Sequence, residues 1–229
     1  MIDYDIKVKI DGKKLIPSRF IKYLGLYIDC HLDWSIHVNV LSSKLSRATG
    51  MLSKVRHYIE PKTILSIYYA IFSSIMNYGS IIWGQNSNTH IKRIETIQNK
   101  AIRIINFKPY NTPSNHLYKE SKILKFTDGI KLKNFLLVVD NVNNNLPFAL
   151  QNSFTPAKDI HNYRTRATTF YKMSLPKINK VTYGEYSISY QATKFWNSMV
   201  TKFPEEKLHL KSKPFCKTFI ICKLLELYE

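Results

Sequence analysis

Acidic side chains are scarce in this chain. Sixteen Asp and Glu stand against 34 Lys and Arg in 229 residues, a formal net charge of +18. That balance favours phosphate polymers or anionic membrane surfaces as partners. Cysteine is rarer still: Cys30, Cys216 and Cys222 are an odd set with no pair at metal-knuckle spacing. A disulfide framework is thereby excluded, and a reducing compartment is implied. Glycine occurs only seven times, and there is no Gly-rich phosphate loop, no His-Glu-x-x-His and no adjacent Asp-Asp pair. Met1 is followed by Ile-Asp-Tyr-Asp, which lacks the basic and then apolar run of a cleavable signal and reads as the interior of something larger. Between Thr63 and Ile91 there is no Asp, Glu, Lys or Arg, yet Ser66, Ser73, Ser74, Asn77, Gly79 and Ser80 break the apolar run. A helix buried in a bundle fits that stretch better than a membrane span, and no membrane partner is expected.

What is present is lysine, in quantity. Lys, Asn, Ile and Tyr are abundant together, a skew that AT-rich codon usage would produce. The seven arginines therefore carry more weight as evidence of binding than the lysines do.

Ile6, Val8 and Ile10 alternate with lysines, and Asp11-Gly12 supplies a hairpin turn returning through Lys13 to Ile16. Phe20 to Asp29 is rich in β-branched and aromatic residues and apolar on both alternating faces, predicting a strand covered on two sides. Gly25 interrupts it, marking a bulge or the close approach of another backbone. Asp33 is the expected N-cap of a helix from Trp34 to about Tyr58, with Leu41, Leu45, Ala48, Leu52, Val55 and Ile59 on its apolar side. Lys44, Arg47, Lys54 and Arg56 lie on that helix with no acid between Asp33 and Glu60, predicting a basic surface.

Pro61 opens a second helix, Thr63 to about Asn77. Asn88 or Thr89 caps a third, with Ile91, Ile94, Ile97 or Gln98, Ala101 and Ile105 inward and Arg93, Lys100 and Arg103 outward. A boundary is expected near 106–113. Beyond it, Thr127 is expected to cap a helix, Tyr186 to Tyr190 to form a short strand, Ala192 to Val200 a short helix, and Ser212 with Pro214 to open a terminal helix. The fold class expected is mainly α: an N-terminal β-hairpin plus strand, a three-helix bundle, and a mixed, mostly helical C-terminal region.

No catalytic constellation emerges. Asp29, His31 and His37 are more simply structural than a metal or acid/base site, and Cys30 is a lone thiol. Ile160 to Gly184 is free of acids and holds five bases and four aromatics, with Tyr163, Arg164 and Arg166 concentrated at its start.

Several short motifs occur in order: Phe20-Ile21-Lys22-Tyr23-Leu24-Gly25 with Asp29, Leu32-x-Trp34-x-x-His37, Tyr78-Gly79 with Trp83-Gly84, Gln98-Asn99-Lys100-Ala101-Ile102-Arg103, His161-Asn162-Tyr163-x-Thr165-Arg166, and Ser187-Ile188-x-Tyr190 with Trp196-Asn197-Ser198. Together they resemble the end of the palm, the thumb and the following linker of reverse transcriptases from non-LTR, Jockey-like retrotransposons. The resemblance covers about residues 6 to 228. It implies a palm remnant at 1–31, a helical thumb at 32–108 and a linker region at 109–229. It also implies RNA template and DNA primer, or an RNA–DNA duplex, as partners, together with the palm and fingers of the same polyprotein, in nucleus and cytoplasm.

In the family, Lys22, Tyr23, Leu24 and Gly25 match the segment that grips the primer strand. The helix bearing Lys44, Arg47, Lys54 and Arg56 matches the one lying along the duplex. Lys100 and Arg103, with Tyr163, Arg164 and Arg166, are further candidate contacts. The family's two Mg²⁺ ions are held by palm carboxylates, including an Asp-Asp pair that this sequence does not contain, so no cofactor and no polymerase activity are expected of these residues alone. The rival expectation is a non-catalytic structural or protein-interaction piece, or a pseudogene product.

Overall fold

The computed structural model describes residues 8–14, 18–85, 87–151, 153–160, 171–179 and 184–228. Its first element is the expected hairpin: β1 (Lys9–Ile10) pairs with β2 (Lys13–Lys14) across Asp11 and Gly12. Both turn residues have positive φ, 49° and 75°, as a two-residue hairpin turn requires.

The next stretch corrects the expectation of one continuous strand. Phe20 to Asp29 folds back on itself as β3 (Phe20–Tyr23) and β4 (Leu26–Asp29), antiparallel, with Tyr23 opposite Leu26. Leu24 and Gly25 form the turn, at φ 44° and 81°. The two apolar faces are not both covered. Leu26 and Asp29 are buried, whereas every residue of β3 is exposed, Tyr23 at 62% and the turn residue Leu24 at 71%. β4 packs against the first helix, whereas β3 is left exposed.

That helix, α1 (Ser35–Val55), starts one residue later than expected. Its entry is organised by Asp29 rather than by Asp33 alone. The buried Asp29 carboxylate accepts from the backbone N–H groups of His31 (3.1 Å), Asp33 (3.1 Å) and Trp34 (2.8 Å), while Asp33 accepts from Ser35 N–H at 2.7 Å. Three charge-assisted bonds offset the desolvation of the Asp29 carboxylate. They also hold Trp34 at φ 62° in the left-handed region.

Val38, Leu41, Leu45, Ala48 and Leu52 form the buried side of α1. The second expected helix begins at Pro61 and changes character midway. α2 (Pro61–Ile67) runs into a π-helical stretch, Tyr68–Ser73, and then α3 (Ser74–Asn77). The buried rings of Tyr68 and Phe72 stack at 5.2 Å within the π-helical stretch. After a left-handed Gly79 come α4 (Ser80–Trp83) and α5 (Asn88–Ile105), the latter preceded by Ser87 at the N-cap position rather than by Asn88 or Thr89.

These helices enclose one core, which also takes in Leu117 and Tyr118 of α6 (Asn115–Glu120), Phe126 and Ile130 of α7 (Phe126–Val142), and Tyr228. Gln98, not Ile97, is its buried position on α5. It accepts from Phe126 N–H at 2.8 Å and donates to Leu124 O at 3.0 Å, which locks α7 onto α5. Lys125, rather than Thr127, precedes α7; the Thr127 hydroxyl donates instead to Glu95 at 2.7 Å.

The far end of α7 enters a second core with α8 (Ile188–Lys202) and α9 (Lys213–Leu225), centred on Phe135, Trp196 and Ile220. The strand expected over Tyr186 to Tyr190 is absent. Ser187 caps α8 instead, its hydroxyl accepting from Tyr190 N–H at 3.3 Å, so side-chain capping overrides the apolar alternation. Among the described residues, no helix is long and apolar enough to cross a membrane.

Candidate nucleic-acid interface

The β3–β4 turn is held from outside its own hairpin. Tyr78, just past α3, donates its hydroxyl to Leu24 O at 2.5 Å, and its ring lies 3.4 Å from where a Cβ on Gly25 would sit. Tyr78 is itself fixed, because the indole of Trp83 donates to Tyr78 O at 2.9 Å. Gly79 is required next to it: a Cβ there would lie 3.0 Å from the Leu26 side chain, and its φ is 59°. Two motifs far apart in sequence, Tyr23-Leu24-Gly25 and Tyr78-Gly79 with Trp83, thus meet at one corner.

From that corner a groove of about 500 Å³ runs to α1, lined by Gly25, Tyr27, His37, Lys44, Ile75 and Tyr78. Gly25 and Lys44, two predicted contacts, therefore face the same space. His37 forms part of the wall and is only 6% exposed. Its Nδ1 accepts from Tyr27 N–H at 3.4 Å, and its ring lies 5.1 Å from that of Trp83. Burial, and then the Lys44 charge, push the His37 imidazole below its ordinary pKa, which keeps it neutral near pH 7.

Along α1, Lys44, Arg47 and Lys54 are all exposed. Arg47 follows Lys44 by three residues and Lys54 follows by seven more, spacings that return to one side of a helix. Arg56 does not share that side. It is half-buried, about 200° round from Lys54, and its Nε donates to His57 Nε2 at 3.3 Å.

Lys22 stands over the Tyr27 ring at 5.6 Å, a cation–π contact that keeps the ammonium beside the hairpin. On α5, Lys100 is exposed, but Arg103 is part of the scaffold, donating Nε to Thr112 O at 2.7 Å. Tyr163, Arg164 and Arg166 lie outside the described residues.

Asp29 is committed to its three backbone donors. Among the described residues, no group of three or more His, Cys, Asp or Glu is placed to hold a metal ion. The site thus combines cations along one edge, an aromatic wall, and a turn where Gly25 presents bare backbone. Sequence reasoning identified most of the cations. It placed His37 and Tyr78 in motifs, with His37 read as structural, but gave Tyr27 no role and did not foresee that these side chains wall the groove, because their partners lie 10 to 54 residues away.

The chain is 34% identical over 113 residues to a probable RNA-directed DNA polymerase from transposon X-element of Drosophila melanogaster, an alignment covering 48% of this chain and 12% of that protein. It is 24% identical over 128 residues to the RNA-directed DNA polymerase from mobile element jockey of the same species, covering 54% of the chain and 14% of the relative. The jockey polymerase of Drosophila funebris is 27% identical over 127 residues, with the same coverage. The matches thus span well under a fifth of the length of these relatives. No protein-family model and no solved structure matches the chain. The resemblance read from the motifs is borne out: the homologues are RNA-directed DNA polymerases of Drosophila non-LTR retrotransposons.

Proposed function

We propose that this chain serves an RNA-directed DNA polymerase as its thumb and linker, gripping an RNA-template and DNA-primer duplex by the backbone, with catalysis carried by other parts of the polypeptide. The observation that carries this reading is the groove joining the Leu24–Gly25 turn to Lys44 at the start of the α1 basic stripe. Phosphate contacts of this kind position a duplex without reading its sequence, which is what an enzyme translocating along any template requires. In this reading residues 1–31 carry the primer-side hairpin, 32–108 the thumb and 109–229 the linker. Mg²⁺ belongs to carboxylates outside these residues, and the site of action is the nucleus and cytoplasm. An electrophoretic shift of an RNA–DNA duplex at physiological salt tests it: retarded duplex is expected, and free duplex at every protein concentration contradicts it.

A second reading rests on β3. Phe20, Ile21, Tyr23 and Leu24 are exposed together, an apolar strip suited to docking protein. In the first reading that partner is the palm of the same polyprotein; in the second it is the whole function. Failure to shift duplex, together with a stoichiometric protein retained through β3, favours the second.

A further inference from the structure

A cavity of about 820 Å³ lies elsewhere, against the second core. None of its lining residues belongs to α1 or to the β3–β4 hairpin. Its notable feature is a ring pair: Tyr171 and His209 stack with centroids 3.5 Å apart and planes inclined by 16°. Tyr171 remains 48% exposed. His209 is held below its ordinary pKa by burial and then by the charges of Lys207 and Lys158, so the stacked imidazole is neutral near pH 7.

The platform is rigid before any ligand arrives. Trp196, at the centre of the second core, donates its indole N–H to Tyr171 O at 3.0 Å. Asn197 grips Met173 from both sides, accepting from its N–H and donating to its carbonyl, each at 2.8 Å. Lys172 O accepts from Ala157 N–H at 2.9 Å, and Ser174 N–H donates to Thr155 O at 2.8 Å, tying the segment to the opposite wall. The Trp196-Asn197 motif, which plays no part in the groove, is thereby explained.

Around the stacked rings the lining offers three amide side chains, Asn141, Asn144 and Gln151, and two lysines, Lys158 and Lys172. Asn141 uses one amide hydrogen on Phe154 O at 3.3 Å. Asp159 is the one carboxylate in the lining, against Lys158 and Lys172.

Aromatic face, amides carrying both donors and acceptors, and net positive charge form a combination suited to one class of ligand. An apolar ligand would leave the amides unpaired, and an inorganic anion would not use the rings. We infer that the Tyr171–His209 pocket binds an unpaired base of a single-stranded nucleic acid, the base stacking on the ring pair with its edge toward the amides and a neighbouring phosphate at Lys158. Every base has a π face, so binding tolerates sequence, and amide edges favour adenine. The site is separate from the α1 groove, so the molecule holds duplex at one place and an unpaired strand at another.

The test is fluorescence polarisation with labelled oligo(rA) on the full chain, comparing wild type, Tyr171→Ala, Tyr171→Phe and Lys158→Gln, with melting temperature as the folding check. Loss of one stacked base weakens binding by about fivefold or more, so Tyr171→Ala is expected to fall by that factor, with Tyr171→Phe retaining affinity. Lys158→Gln is expected to weaken binding and lower the salt slope by about one counterion. Duplex binding stays at the wild-type value in all three. Oligo(rA) affinity within about twofold of wild type in both Tyr171→Ala and Lys158→Gln overturns the inference; if Tyr171→Ala does not fold, Lys158→Gln decides. Displacement of oligo(rA) by AMP at equal concentration also overturns it, in favour of a mononucleotide site. An α1 variant that leaves duplex binding unchanged removes the thumb assignment while leaving this site intact.

Discussion

The hydroxyl of Tyr78 donates to the carbonyl of Leu24, 54 residues earlier in the chain, at 2.5 Å. That bond ties the turn of the β3–β4 hairpin to the end of α3, adding to the anchorage that buried Leu26 and the packing of β4 on α1 give the strand pair. β3 itself is exposed, so this contact helps to fix Gly25 over the groove.

Tyr78→Phe removes the bond and leaves the ring in place. A net cost of about 0.5–1.5 kcal/mol is expected, confined to the hairpin. Hydrogen exchange should quicken at the Leu26 and Tyr27 amides while protection along α1 holds. Equal exchange in both proteins contradicts the assignment.

Two glycine substitutions should act in opposite directions. Gly25 has φ 81° with the Tyr78 ring at its shoulder, so Gly25→Ala is expected to destabilise by about 1 kcal/mol or more. Gly50 lies within α1 with open space around it, and Gly50→Ala is expected to stabilise by about 0.5–1 kcal/mol. Urea denaturation gives both signs.

Asp29→Asn leaves one acceptor oxygen where three N–H groups converge, and is expected to cost about 1–3 kcal/mol. Asp33→Asn is milder and shows in acid. The Ser35 backbone bond, and then the Ser35 side chain, lower the Asp33 pKa from its ordinary 3.8. Its contribution is present above that value and lost as pH falls through the lower folded pKa. The variant should lose that part of the acid dependence, read as stability from pH 5 downward.

Lys133 gives the alkaline counterpart. Its ammonium is half-buried on Asn77 and Ser80, donating to Asn77 Oδ1 at 2.8 Å and Ser80 Oγ at 2.5 Å, and desolvation lowers its pKa from 10.5 to about 8. Between those values the unfolded chain binds the extra proton, so stability rises with pH across that window. Lys133→Met should abolish the rise. An unchanged slope between pH 8 and 10 excludes Lys133 as its source.

The helices were legible because their apolar positions recur at helical spacing, as Leu41, Leu45, Ala48 and Leu52 do on α1. The hairpin at Leu24–Gly25 was not. Leucine rarely adopts positive φ, and what holds it there is Tyr78, which no local window contains. Tyr186 to Tyr190 misled for a similar reason: alternation suggested a strand, while one Ser187 hydroxyl bond starts a helix. Of the candidate contacts, Lys44, Arg47 and Lys54 share one side by helical geometry alone, and the same geometry puts Arg56 about 200° round from Lys54; only its contact with His57 needed the structure.

The central claim is that the exposed α1 stripe binds duplex through phosphates. The direct measurement is the affinity for an RNA–DNA duplex across a salt series, wild type against the triple variant Lys44→Ala, Arg47→Ala, Lys54→Ala. Each lost phosphate contact lowers the slope of log K against log salt by about 0.9, so a slope shallower by about two to three is expected, with weaker binding at low salt. A slope equal to that of the wild type would contradict the account.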